Sequence, residues 1–160
     1  MNNYKMIVFL DSLRAGHAYL ELLKPGEQQG ETFGFYPAKA DEKKEVLFGK
    51  GSVRKDAERL ESSGKDSKIR QTGKTVHLTK SEFDQAVAFI EKQQRKPNLY
   101  FLVGYNCIDF IQNVLQAAMG KDAPSFLELY DHAELEQLSW VGVYARIEKV
   151  MGAGTSKLEF

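Results

Sequence analysis

Sulfhydryl content is minimal in this chain: Cys107 is its one cysteine. That excludes an intramolecular disulfide and any zinc site built on several thiolates. Charge of one sign is missing too, since Lys+Arg and Asp+Glu both number 22 and the formal net charge is zero. The balance gives no support for electrostatic binding to nucleic acid or an anionic membrane, and no nucleic-acid partner is expected. No run approaches the length of a membrane-spanning helix, so no stable membrane anchor is expected. The apolar run Met6 to Leu10 is too short for a signal-peptide core and has no small-residue cleavage site after it. The protein is therefore expected to be made in a cytoplasm and, if it acts elsewhere, to be exported without a cleaved signal. No G-x-G-x-x-G follows a strand, and there is no P-loop and no H-E-x-x-H, so neither cofactor nor metal is expected.

What is present is a globular composition. The 160 residues are 42% hydrophobic and 11% aromatic, enough to bury a core and too apolar for wholesale disorder. We expect a single domain over 1–151 and a flexible polar tail over 152–160. Lys157-Leu158-Glu159-Phe160 reads as an appended remnant and is set aside.

In chain order, Tyr4 to Leu10 is short, apolar and β-prone, and reads as a strand. His17 to Leu23 alternates, with Ala18, Leu20 and Leu22 on one face and His17, Tyr19 and Glu21 on the other. The turn residues Pro25-Gly26 and Gly30 lead to a third strand, Glu31 to Tyr36, antiparallel to the second. Ala38 to Lys74 is rich in Lys, Asp, Glu, Ser and Gly; it reads as a long excursion with one short helix over Val53 to Glu61. Thr75 to Leu78 is a strand. Thr79-Lys80-Ser81-Glu82 is a capping box for a helix reaching about Gln94, whose apolar stripe is Phe83, Ala86, Val87 and Ile90. Leu99 to Val103 is a short apolar segment. Phe126 to Tyr130 forms a helical turn, and Trp140 to Ile147 reads as a strand.

The best helix begins at Tyr105-Asn106-Cys107-Ile108-Asp109-Phe110. Asn106 is a good N-cap, and Phe110, Ile111, Val114, Leu115 and Ala118 recur at helical spacing up to Gly120, a C′ glycine. A thiol in that first turn lies among unsatisfied backbone N–H groups at the positive end of the helix dipole, which favours thiolate. Cys107 is thus a candidate nucleophile. The competing reading is a small buried core residue.

A cysteine nucleophile needs a base, and there are three histidines. His132 follows Tyr130-Asp131 in a polar stretch and reads as a surface residue. His77 lies within a strand with nothing around it to suggest a site. His17 opens a strand directly after Gly16, where a side chain is held firmly at an open edge, so it is the preferred partner. The hairpin brings the end of the third strand toward His17. Tyr36 and Asp11 are both candidates to orient the imidazole, and the sequence does not choose between them. Asn106 and the Cys107 N–H are candidate oxyanion donors.

Three segments together, Gly16-His17-Ala18-Tyr19-Leu20-Glu21-Leu22, Phe33-Gly34-Phe35-Tyr36-Pro37 and Tyr105-Asn106-Cys107-Ile108-Asp109-Phe110, resemble the circularly permuted papain-like fold. This is the branch of NlpC-type cysteine hydrolases in which histidine precedes cysteine, shared with lecithin:retinol acyltransferase and its relatives. The resemblance covers roughly His17 to Ala118. It implies an α+β fold, with an antiparallel sheet carrying the histidine packed on a helix whose N-terminus carries the cysteine. It also implies Cys107 as nucleophile and His17 as base. The family's third position is a polar residue on the strand after the histidine; Thr32, Gly34 and Tyr36 stand on one face there, which leaves a tyrosine, a backbone carbonyl or a bare dyad. Members of this branch cleave cell-wall peptides, transfer or hydrolyse lipid acyl groups, or deamidate proteins. Compact members without signal peptides resemble antibacterial effectors of type VI secretion, made in a bacterial cytoplasm and paired with a cognate immunity protein. The expected activity is amide hydrolysis in peptidoglycan peptides. Lipid acyl transfer, thioester or phospholipid hydrolysis, protein deamidation and a non-catalytic interaction domain are the alternatives.

Overall fold

A computed structural model describes residues 3–11, 17–37, 48–55, 72–101 and 107–131. Its strands are β1 (Tyr4–Asp11), β2 (His17–Leu23), β3 (Glu31–Pro37), β4 (Phe48–Arg54), β5 (Lys74–Leu78) and β6 (Leu99–Phe101). Its helices are α1 (Lys80–Arg95), α2 (Cys107–Met119) and the short α3 (Phe126–Leu129), with a 3-10 turn over Gly120–Asp122. The fold is α+β. Five strands in the order β5-β1-β2-β3-β4 form an antiparallel sheet, and β6 pairs with the free half of β4.

The rungs are staggered. β1 meets β2 over seven pairs, from Lys5 opposite Leu23 to Asp11 opposite His17. β3 pairs with β2 only from Leu22 opposite Glu31 to Tyr19 opposite Gly34. From Gly34 to Pro37 it pairs with β4 instead. The first half of β4, Phe48 to Lys50, is left to β6. Gly51 sits where β4 changes partner. A Cβ there would lie 2.2 Å from the Phe35 ring and 2.4 Å from the Asn98 carbonyl oxygen, so only glycine fits.

α1 and α2 cover one face of the sheet. Ala18, Leu20 and Leu22 of β2 join Met6, Val8 and Leu10 of β1 and the buried stripes of both helices in one core. Burial of each large apolar side chain there is worth about 1.5–3 kcal/mol. Phe110 of α2 stacks on Phe35 at 5.8 Å and meets Phe89 of α1 at 6.4 Å. The opposite face is buried too: Phe9 and Tyr19 pair at 5.4 Å, and Glu21 is only 1% exposed, accepting the Gly30 N–H at 3.2 Å. Buried on both sides, β1 and β2 are the centre of the fold.

The local signals for the helices hold. Thr79 Oγ1 accepts from the Glu82 N–H at 3.1 Å, and the Glu82 carboxylate accepts from the Thr79 N–H at 2.8 Å. α2 ends at Gly120, whose φ of +61° is left-handed. Ser125 and Glu128 make a second capping box for α3. Just after α3, the Tyr130 hydroxyl shares its proton between the carbonyls of Val8 (2.8 Å) and Thr72 (2.7 Å).

The expected excursion over Ala38 to Lys74 needs correcting. It contains β4, and Val53 and Arg54, read as a helix start, end that strand. Two glycines, a lysine and a serine gave Phe48–Arg54 no alternation to read, and its strand character comes from pairing with β3 and β6. The strand expected over Trp140 to Ile147, the tail over 152–160 and the remainder of the Val53–Glu61 helix lie outside the described residues. Among the described residues no helix is long and apolar enough to cross a membrane.

Because Gly51 faces a ring on one side and a carbonyl on the other, Gly51→Ala should destabilise the fold by about 1–3 kcal/mol. Urea unfolding of the two proteins checks this; an unchanged midpoint would mean that β4 does not cross β3 so closely.

Candidate functional site

The site is built where α2 begins. Cys107 is the first residue of that helix and is only 1% exposed. The backbone N–H of Ala18, one residue beyond His17, donates toward its thiol. The ladder explains why that N–H is available. Thr72 Oγ1 bonds both the N–H (3.0 Å) and the C=O (3.1 Å) of Leu10, so the backbone groups of Leu10 face β5 and not β2. Leu10 and Ala18 therefore form a rung without mutual hydrogen bonds, and Ala18 directs its own N–H away from β1. On that side β3 has already left, its last rung with β2 being Tyr19–Gly34. The sulfur of Cys107 takes the place of the missing strand.

This position decides the protonation of the thiol. Burial pushes the Cys107 pKa up from 9.0 to about 12. The Ala18 N–H and the N–H groups of Ile108 and Cys107 pull it down, while the Asp109 carboxylate raises it further. The expectation of a resting thiolate is thus corrected: the helix-start N–H groups are present, but desolvation outweighs them. At neutral pH the group is a buried neutral thiol.

The other candidates separate clearly. His17 opens β2, and its register partner is Asp11, the last residue of β1. Tyr36 stands two residues beyond the last β2–β3 rung, paired with Ser52 of β4, and the Arg54 guanidinium lies 5.5 Å from its ring centre. The hairpin register would have carried Tyr36 to His17 had β3 not changed partner at Gly34. Asn106 and His132 lie outside the described residues. His77 is exposed on β5. Two contributors escaped the sequence reading. Asp109 was visible, two residues after Cys107 in the same helical turn. Ala18 acts through its backbone, which no residue type announces.

A groove of about 570 Å³ lies at the other end of β2, between its turn to β3 and α1. Leu22, Phe33, Phe83, Val87 and Ile90 line it, and Lys24 stands at its rim. Cys107 does not line it. Among the described residues no group of three or more His, Cys, Asp or Glu side chains is arranged to hold a metal ion. A scan of family models, a search of curated proteins and a search of solved structures each return no match to this chain.

The raised thiol pKa has a consequence for stability. A group whose folded pKa lies above its unfolded value contributes stability in full below the unfolded pKa and loses it as pH rises toward the folded one. The window here runs from 9.0 to about 12. Unfolding measured from about pH 8 to about pH 11 should show the wild type losing stability relative to Cys107→Ala, and parallel curves would mean a solvated thiol. Separately, Asp109→Asn should lower the pH at which iodoacetamide alkylation of Cys107 accelerates, because one raising charge is removed; an unshifted profile would leave Asp109 without influence.

Proposed function

We propose that this protein is a cysteine hydrolase of amide bonds on a circularly permuted NlpC-type papain-like fold, with Cys107 as nucleophile and His17 as base. One observation carries the reading: the Ala18 N–H donates to the Cys107 thiol, so the helix that starts with cysteine meets the strand that starts with histidine within one residue of His17. The order of elements, with the sheet strand before the buried helix, agrees with the resemblance.

The chemistry follows from a neutral thiol. His17 removes the thiol proton as Cys107 Sγ attacks the acyl carbon, so the nucleophile is made by general base catalysis during attack and is not stored as a thiolate. The Cys107 N–H at the helix start donates to the developing oxyanion. The amine leaves with the proton held by the imidazolium, giving a thioester. A water molecule, deprotonated by His17, then hydrolyses it and restores the thiol. Because the sulfur is 1% exposed, substrate entry has to open the strand edge around it.

The substrate class we favour is the peptide of peptidoglycan, with the protein acting as a secreted antibacterial effector held in check by an immunity protein. Balanced charge and a groove remote from Cys107 favour a soluble amide over a lipid acyl chain. Burial of Cys107 favours a second reading, in which the thiol is core and the domain is an interaction module.

Incubation with purified muropeptides and detection of newly released amines separates the two. The hydrolase reading expects turnover by the wild type, none by Cys107→Ala with its unfolding midpoint retained, and a loss of at least about 100-fold in His17→Ala. An acyl adduct on Cys107 in the intact mass would accompany it. Full turnover by Cys107→Ala would end the proposal, and a variant that merely unfolds would favour the core reading.

A further inference from the structure

The thiol of Cys107 closes a ring of contacts, and one part of that ring is far less secured than the rest. On the sheet side the ties run from Cys107 to the Ala18 N–H, across the Leu10–Ala18 rung, and on to the Thr72 hydroxyl that holds both backbone groups of Leu10. On the helix side they run through Gln112, further along α2. Its side-chain amide donates to the Pro124 carbonyl at 3.1 Å and accepts from the Phe126 N–H at 2.7 Å. Phe126 meets Tyr130 ring to ring at 5.2 Å, and the Tyr130 hydroxyl reaches Val8 and Thr72. Residues 125–130 thus run as a strap from α2 to β1. Phe126 and Tyr130 belong to the same buried cluster as Leu10, Ala18 and Cys107.

The two sides of the ring differ in strength. β1 and β2 hold each other through seven rungs. α3 is four residues long, too short to hold itself as a helix, and depends on its capping box. Its far end is fixed by one hydroxyl proton divided between two carbonyls. Proteins open first at the units with the fewest ties, so opening near Cys107 starts at the strap and not between the central strands.

We propose that residues 125–130 are a strap whose release admits reagent or substrate to Cys107. Release takes Phe126 and Tyr130 out of the cluster that encloses the thiol and removes one tie from Thr72. The edge at Leu10 and Ala18 then loosens, while the rungs further along β1 and β2 hold. As an entry for substrate this rests on the hydrolase reading, but the motion itself is read from the thiol without any turnover.

The test is the rate at which Cys107 of the folded, full-length protein reacts with iodoacetamide, at one fixed pH and without denaturant. Tyr130→Phe keeps the ring and removes the hydroxyl; it should label about 3- to 10-fold faster, the factor expected for one hydrogen bond of ordinary net strength. Gln112→Leu undoes the other end of the strap and should accelerate labelling by a similar factor. Gly51→Ala weakens the fold at β4, away from the strap, and should stay within about 2-fold of the wild type. Labelling of Tyr130→Phe at the wild-type rate overturns the proposal. An equal acceleration by Gly51→Ala also overturns it, since the thiol would then react only through global unfolding. Should Tyr130→Phe fail to fold, Gln112→Leu decides by the same criterion. Failure of the hydrolase reading would appear instead as absent muropeptide turnover with both accelerations intact.

Discussion

β3 pairs with β2 and with β4 over different halves of its length, and the surroundings of Cys107 follow from that division. Gly34 is the pivot, the last residue paired to Tyr19 and the first paired to Arg54. Upstream of it β3 belongs to β2, and downstream it belongs to β4. The start of β2 is therefore left with an edge inside the protein. Backbone groups at a buried edge need partners, and the first turn of a helix with its own unpaired N–H groups is not an obvious one. A side chain that can accept from a backbone donor while remaining apolar is suitable, and Cys107 is that side chain. Sulfur accepts weakly, tolerates burial and is small enough to lie beside Ala18.

The same geometry opposes two demands on the thiol. The helix start and the Ala18 N–H favour negative charge there, whereas burial in the apolar core to which Cys107 belongs penalises it. The core prevails at rest. A thiol held this way stays protonated at neutral pH, which limits adventitious oxidation and alkylation, since both need the thiolate.

Much of this was legible from residues alone where the signal was local. β2 ran from His17 to Leu23 as its alternation said, and the Thr79–Glu82 box marked the start of α1 to the residue. Gly120 marked the end of α2 because only a left-handed residue satisfies the last carbonyls. The sequence was silent where the cause was tertiary. Phe48–Arg54 is a strand because two neighbours pair with it. The thiol of Cys107 is neutral because of what folds around it, and a helix-start argument weighs only the dipole. Asp11 and Tyr36 looked equivalent as neighbours of His17 until the departure of β3 at Gly34 separated them.

The hydroxyl of Tyr130 joins Val8 and Thr72 across separations of 122 and 58 residues. β1 is made before the other described elements, yet its carbonyl at Val8 waits for one of the last described residues to arrive. Contacts this distant along the chain slow the search for the native state, because a long loop has to close before they reward it. A nascent chain that stopped at α2 would present the central strands with that clasp still open. The order of synthesis and the order of completion thus run in opposite directions: the earliest of the described strands is among the last to be secured.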